Sequence, residues 1–70
     1  MNTQYTAVIK QENDYWLGWI EEVPGVNCQE LTHEALIETL KITLREALEF
    51  NREEALMNAG TGFKEELIAL

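Results

Sequence analysis

Residues 5–21, with the sequence YTAVIKQENDYWLGWIE, hold two apolar runs separated by a polar segment. The runs Tyr5 to Lys10 and Tyr15 to Glu21 are rich in the β-branched and aromatic residues that favour strands. The segment Glu12-Asn13-Asp14 tolerates turn geometry, so we predict a β-hairpin. Side chains of its second strand alternate between a face with Tyr15, Leu17 and Trp19 and a face with Trp16, Gly18 and Ile20.

The sequence after the hairpin predicts a third strand and one long helix. Pro24-Gly25 ends the second strand because proline cannot donate a ladder hydrogen bond, and Val26 to Gln29 follows as a short strand. Thr32 is the predicted helix N-cap, and the helix ends near Gly60. From His33 to about Asn58 the apolar period is helical, and one side carries Leu36, Ile37, Leu40, Leu44, Ala47 and Leu48.

The last eight residues, Phe63 to Leu70, follow two glycines, and we interpret them as a terminal strand rather than a frayed helix. The predicted order is therefore βββαβ, in one domain over residues 1–70. This order predicts an α+β, two-layer arrangement in which one amphipathic helix covers one face of a small sheet. The other face carries large apolar residues and has no predicted cover.

The charge balance limits the classes of partner. Thirteen acidic residues against five basic ones give a net charge of −8. Binding to nucleic acid or to an anionic membrane needs lysine and arginine facing phosphates, so we expect neither. An acidic surface instead speeds encounter with a basic protein. Because the sequence lacks a membrane-length apolar run and a signal-peptide pattern, we expect the cytoplasm.

Patterns for catalysis are weak. Cys28 and His33 lie five residues apart across a strand–helix junction, where they are either a nucleophile–base pair or, more simply, a strand cysteine and a helix-start histidine. The adjacent acids at Glu21-Glu22, Glu53-Glu54 and Glu65-Glu66 point in different directions on a strand or a helix. One cysteine excludes an intramolecular disulfide and, with one histidine, is too few for a structural zinc site. We therefore expect no enzymatic activity, no cofactor and no metal.

Candidate contact residues follow from position and chemistry. Tryptophan is enriched at binding hot spots, and acids steer basic partners. The candidate partner contacts are Trp16, Glu21, Glu22 and Glu30. Trp19 and Ile42 are candidate contacts between copies, because Ile42 interrupts the polar side of the helix. The small size favours self-association, with a homodimer as first choice and a tetramer as second.

An ordered set of motifs resembles the HicB-like antitoxins over nearly the whole chain. The set comprises Tyr5-Thr6-Ala7-Val8-Ile9, Asp14-Tyr15-Trp16-Leu17, Val23-Pro24-Gly25, Gln29, Thr32, Glu34, Leu36 to Glu49, Arg52-Glu53-Glu54 and Lys64 to Leu70. The resemblance implies a degenerate ribonuclease H-like fold of βββαβ order. It also implies a non-enzymatic antitoxin of a toxin–antitoxin system, which binds and sterically masks a small basic HicA-like mRNA-cleaving toxin.

The chain departs from this family in two places. Gln29-Glu30-Leu31-Thr32 lacks a glycine and an acid of the Gln-Gly-Asp-Thr run that is common before the helix. Many members continue into a DNA-binding domain, so operator binding is not expected of these seventy residues. Two-metal chemistry is not expected either, because Gln4 to Lys10 contains no carboxylate. The alternative function is a structural or adaptor homo-oligomer of the same fold with no toxin partner.

Overall fold

The computed structural model describes residues 4–70, which form three strands and one helix. The strands are β1 (Ala7–Glu12), β2 (Tyr15–Ile20) and β3 (Asn27–Glu30), and the helix is α1 (His33–Ala59). The sheet is antiparallel with the order β1-β2-β3, and α1 packs on one of its faces. The predicted α+β class, with one helix covering one face of a small sheet, is confirmed.

The hairpin between β1 and β2 has a two-residue turn, Asn13 and Asp14. Asn13 has φ of 53°, in the left-handed region that asparagine tolerates better than most residues. The register pairs Glu12 with Tyr15 at the turn and continues to Ala7 with Ile20. A turn this short fixes the register, and the register fixes which side chains share a face.

The two faces of the sheet carry different sets of side chains. The face against α1 includes Ala7, Ile9, Trp16, Gly18, Ile20 and Cys28. The opposite face, which we call the open face, includes Val8, Lys10, Tyr15, Leu17, Trp19 and Gln29. The predicted alternation along β2 is therefore confirmed, and no element of the described chain packs on the open face.

The core lies between β2, the loop after it and the first half of α1. Its buried members are Ile20, Val23, Val26, Leu36 and Leu40. Gly18 lies close to the helix, because a Cβ atom there would be 2.9 Å from Leu40 Cδ1 and 3.1 Å from Leu36 Cδ2. The missing side chain at this position lets the two leucines lie directly on the sheet.

Both ends of α1 match the predicted signals. The N-cap Thr32 accepts a hydrogen bond at its Oγ1 from the Ala35 N–H, at 3.1 Å. The cap residue Gly60 has φ of 74° and donates its N–H to the carbonyls of Leu56 and Met57. The helix has 27 residues and is about 40 Å long. Its contacts with the core end at Leu48, so residues 49–59 extend past the sheet.

The predicted terminal strand is wrong. Residues 63–70 have no regular secondary structure, and all of them are exposed. A strand needs a neighbour to satisfy its backbone groups, and α1 carries the chain beyond the end of the sheet. Glu65 instead pairs with Arg52 of the helix, at 3.6 Å. Over residues 4–70 the order of elements is βββα.

Candidate protein-interaction surfaces

Two of the predicted partner contacts lie side by side at one end of the sheet. Trp16 and Glu30 are directly opposite in the β2–β3 register, and both are half-buried. The Trp16 ring meets the His33 ring edge-on, with centroids 5.2 Å apart and an interplanar angle of 74°. Glu30 Oε2 accepts a hydrogen bond from the Thr39 hydroxyl, at 2.9 Å. The start of α1 therefore holds this corner in place.

The other two predicted partner contacts lie beyond the opposite end of β2. Glu21 and Glu22 are exposed, and the rise of a strand places Glu21 roughly 16 Å from Trp16. Glu22 Oε1 accepts a hydrogen bond from the Thr6 N–H, at 2.8 Å. This hydrogen bond stabilises the carboxylate and lowers the pKa of Glu22 below its ordinary value of 4.5. The four predicted residues thus form two groups rather than one patch.

The two predicted contacts between copies lie on opposite surfaces of the molecule. Trp19 is on the open face and is 41% exposed. Ile42 is on the side of α1 away from the sheet and is 53% exposed. Because the sheet and the helix separate them, one flat interface cannot include both residues.

The open face combines apolar side chains with a charged edge. Val8, Tyr15 and Leu17 are half-buried beside the more exposed Trp19. Lys10, on the same face of β1, pairs with Glu12 at 2.9 Å, and this hydrogen bond raises the pKa of Lys10. Tyrosine and tryptophan, both present on this face, are enriched in protein–protein interfaces.

Two grooves flank α1. The larger, of about 750 Å³, lies beside the start of β1, and its apolar lining includes Tyr5, Ala7, Ile20, Ile37, Leu40 and Leu44. The smaller, of about 360 Å³, lies beside the loop that leads into β3 and is lined by Pro24, Val26, Thr43, Glu46, Ala47 and Phe50. We call the smaller one the β3-side groove. The only trace of this groove in the sequence is the spacing of Thr43, Ala47 and Phe50, which places them on one flank of the helix.

Most of the acidic side chains have no basic partner within the described residues. The ion pairs are Lys10–Glu12, Lys41–Glu38 and Arg52–Glu65. These pairs involve three of the thirteen acids, which leaves ten with no ion pair to a described residue. The excess of negative charge is therefore available to a partner.

Charge is also divided between the two flanks of α1. Lys41, Arg45 and Arg52 fall on one flank at the 3.6-residue period. Glu46 and Phe50 fall on the other flank, which borders the β3-side groove. The side of the molecule next to β3 is therefore acidic and apolar, with the helix cations directed elsewhere.

Residues 4–70 show no assembled catalytic centre at the positions that suggested one. Cys28 Sγ lies 3.5 Å from Thr43 Oγ1, while His33 contacts Trp16, so the two residues have different partners. In this described part of the chain, no three His, Cys, Asp or Glu side chains are grouped as a metal site would require. Nor is any described helix both long and apolar enough to cross a membrane.

Comparisons of the chain with family models, with characterised proteins and with solved structures found no significant match.

Proposed function

We propose that this chain is a non-enzymatic antitoxin module that binds a small basic protein and masks it sterically. The observation that carries the proposal is the set of ten acids with no ion pair to a described residue. Such a surface attracts a basic protein, and a tryptophan side chain is a typical anchor for it. The HicB-like motifs supply the class of partner, a HicA-like mRNA-cleaving toxin. The same proposal includes a degenerate ribonuclease H-like fold and a cytoplasmic location.

In the proposed mechanism, the antitoxin acts simply by occupying the RNA-binding surface of the toxin. A toxin that cleaves mRNA holds the phosphate backbone with basic side chains, so an acidic protein on that surface competes with the RNA. Trp16 and Glu30 are suited to the contact because His33 and Thr39 already hold them, which reduces the entropic cost of binding. Glu21 and Glu22 are exposed and are suited to steering the encounter.

The direct test is a titration of this protein into a purified HicA-like toxin with a labelled RNA substrate. We expect cleavage to fall with increasing protein and to stop at a fixed stoichiometry. Undiminished cleavage at saturating protein, or no complex by calorimetry, would overturn the proposal.

Charge-reversal variants separate a local contact from the effect of net charge. Glu21→Lys and Glu66→Lys change the net charge by the same amount, but Glu66 lies in the segment beyond the helix. We expect Glu21→Lys to slow association with the toxin and to weaken its salt dependence more than the matched control does. Equal effects would show that only total charge matters. Circular dichroism of both variants checks the fold.

A second candidate function is a structural or adaptor homo-oligomer without a toxin partner. The observation that favours it is the open face, where no helix or strand of the described chain packs on Trp19 and its half-buried neighbours Val8 and Leu17. A protein that self-associates through Trp19 and has no affinity for a basic toxin would support this function over the first.

A further inference from the structure

The outer edge of β3 has backbone groups without a partner strand. β3 has β2 as its one neighbour in the sheet formed by residues 4–70. The Val26 carbonyl accepts a hydrogen bond from the Ile20 N–H, at 3.1 Å, so the backbone groups of Val26 point toward β2. In an antiparallel pair this direction alternates from residue to residue, so the backbone groups of Cys28 and Glu30 also point toward β2. Asn27 and Gln29 therefore direct their N–H and C=O groups away from the sheet.

This edge lacks three of the features that commonly protect against strand addition. Edge strands are commonly blocked by lysine, proline or a bulge. β1, at the other edge, carries Lys10 in its middle, whereas Asn27–Glu30 has no lysine or proline and pairs with β2 in an unbroken register. The edge of β3 is consequently the more open of the two to an extended peptide.

The surroundings of the β3 edge indicate the chemistry of its partner. Glu30 lies at the end of the strand, and Glu46 and Phe50 line the β3-side groove. Phe50 is 63% exposed and Leu31, directly after β3, is 76% exposed. The helix cations are on the other flank of α1. An occupant with basic side chains and one apolar anchor would complement both the charge and the groove.

We propose that a basic partner adds an extended segment to β3 as a fourth strand, hydrogen-bonded to Asn27 and Gln29, with an apolar side chain in the β3-side groove. The inference rests on the proposed function and specifies how the basic protein is held. The chain's own residues 63–70 are a poorer occupant, because Glu65 and Glu66 would approach Glu30 and Glu46. A second copy would bring the same acids to the same edge.

Amide hydrogen exchange of the full-length chain, with and without a HicA-like toxin, tests this geometry. We expect the amides of Asn27 and Gln29 to exchange at least about tenfold more slowly in the complex, as amides do when they enter a ladder. The outward amides of β1, those of Ile9 and Gln11, are the matched control and should not change. Binding with no protection at Asn27 and Gln29 would overturn this inference while leaving the proposed function intact; no binding would overturn both.

Two proline variants give an independent test of strand addition at β3. Gln29→Pro removes an outward N–H without breaking the β2–β3 ladder, because edge positions of this kind tolerate proline. Gln11→Pro makes the same change at the edge of β1. We expect Gln29→Pro to weaken toxin binding about tenfold and Gln11→Pro to leave it unchanged. Equal affinities for the two variants, with the fold verified by circular dichroism, would contradict strand addition at β3.

Discussion

Gly18 shows how one residue determines the distance between the two layers. The space that a side chain of residue 18 would need is filled by Leu36 and Leu40 of the helix. The structure shows that its lack of a Cβ allows the helix to lie against β2.

Gly18→Ala should therefore destabilise the protein by overpacking, by about 1–3 kcal/mol. Urea unfolding followed by circular dichroism measures the loss. Leu40→Val removes the atom nearest to the added Cβ, so the double variant should lose less than the sum of the two single variants. Additive losses, or no loss from Gly18→Ala, would show that the layers readjust at no cost.

Glu22 provides a pH dependence whose sign is fixed by its hydrogen bond. The Thr6 N–H lowers the folded-state pKa of Glu22 below 4.5. The carboxylate therefore contributes stability above about pH 4.5, and this contribution is lost as the pH falls through the folded-state pKa. The difference in unfolding free energy between wild type and Glu22→Gln should shrink between about pH 5 and pH 3.

The matched control is Glu21→Gln, because Glu21 is the adjacent exposed acid and makes no hydrogen bond with its side chain in the described structure. Urea midpoints at several pH values give the comparison. The same pH dependence in both variants would show that the Thr6–Glu22 contact is not its source.

At the scale of elements, α1 divides into a part that packs on the sheet and residues 49–59 that do not. The first part is stabilised by apolar burial and by the Thr32 cap. The second part depends on helical hydrogen bonds and on local pairs such as Arg52–Glu65. Its amides should exchange faster than those of Leu36 to Leu48, because unpacked helix ends open first.

Variants of the Thr32 cap measure how much the start of the helix contributes to the free energy of unfolding. Thr32→Ala removes the acceptor for the Ala35 N–H and should lower the free energy of unfolding by about 1 kcal/mol. Thr32→Ser retains a hydroxyl and should remain close to wild type. Chemical denaturation of both variants tests this, and equal losses would indicate that the threonine methyl, not the hydroxyl, is responsible.

The elements that could be predicted from the sequence are those specified locally. The hairpin follows from its polar turn and alternating strands, and both helix ends follow from Thr32 and Gly60. The terminal strand could not be predicted correctly, because a strand exists only where another strand is available to pair with it. The apolar residues of Phe63 to Leu70 favour a strand, but the position of that segment is set by the end of α1, and the segment's own sequence does not specify it.

The candidate contacts were predictable by residue type but not by arrangement. Tryptophan and glutamate are recognisable as contact residues, yet their grouping depends on strand register and on the position of the helix. The register brings Trp16 beside Glu30 and leaves Glu21 at the far end of β2. The β3-side groove depends on where the loop at Pro24 lies relative to Phe50 of the helix, a tertiary arrangement with no local signal.

At the scale of the whole molecule, the chain is elongated and has one uncovered sheet face. Its principal extents are 51, 24 and 15 Å, and the longest reflects the helix that projects past the sheet. Molecular mass in solution should therefore be measured by sedimentation equilibrium, which does not depend on shape. The open face is the first surface to consider for association between copies.

We expect at least a dimer at micromolar concentration, formed through the open face. Trp19→Ala should raise the dissociation constant about tenfold or more, because a central tryptophan is a typical hot spot. Ile42→Ala is the matched control, since it shortens an exposed apolar side chain on the opposite surface. A monomer at all concentrations would refute the dimer, and a shift with Ile42→Ala alone would assign the contact to α1.

The positions of Trp16 and Trp19 on β2 provide optical reporters without any label. The chain has two tryptophans, and they point to opposite faces of the same strand. With Trp16→Phe, all indole emission comes from Trp19, and covering the open face moves that emission to shorter wavelength. With Trp19→Phe, all indole emission comes from Trp16, whose ring packs edge-on against His33 at the start of α1. Fluorescence of two single-tryptophan variants thus distinguishes an event on the open face from one at the helix start.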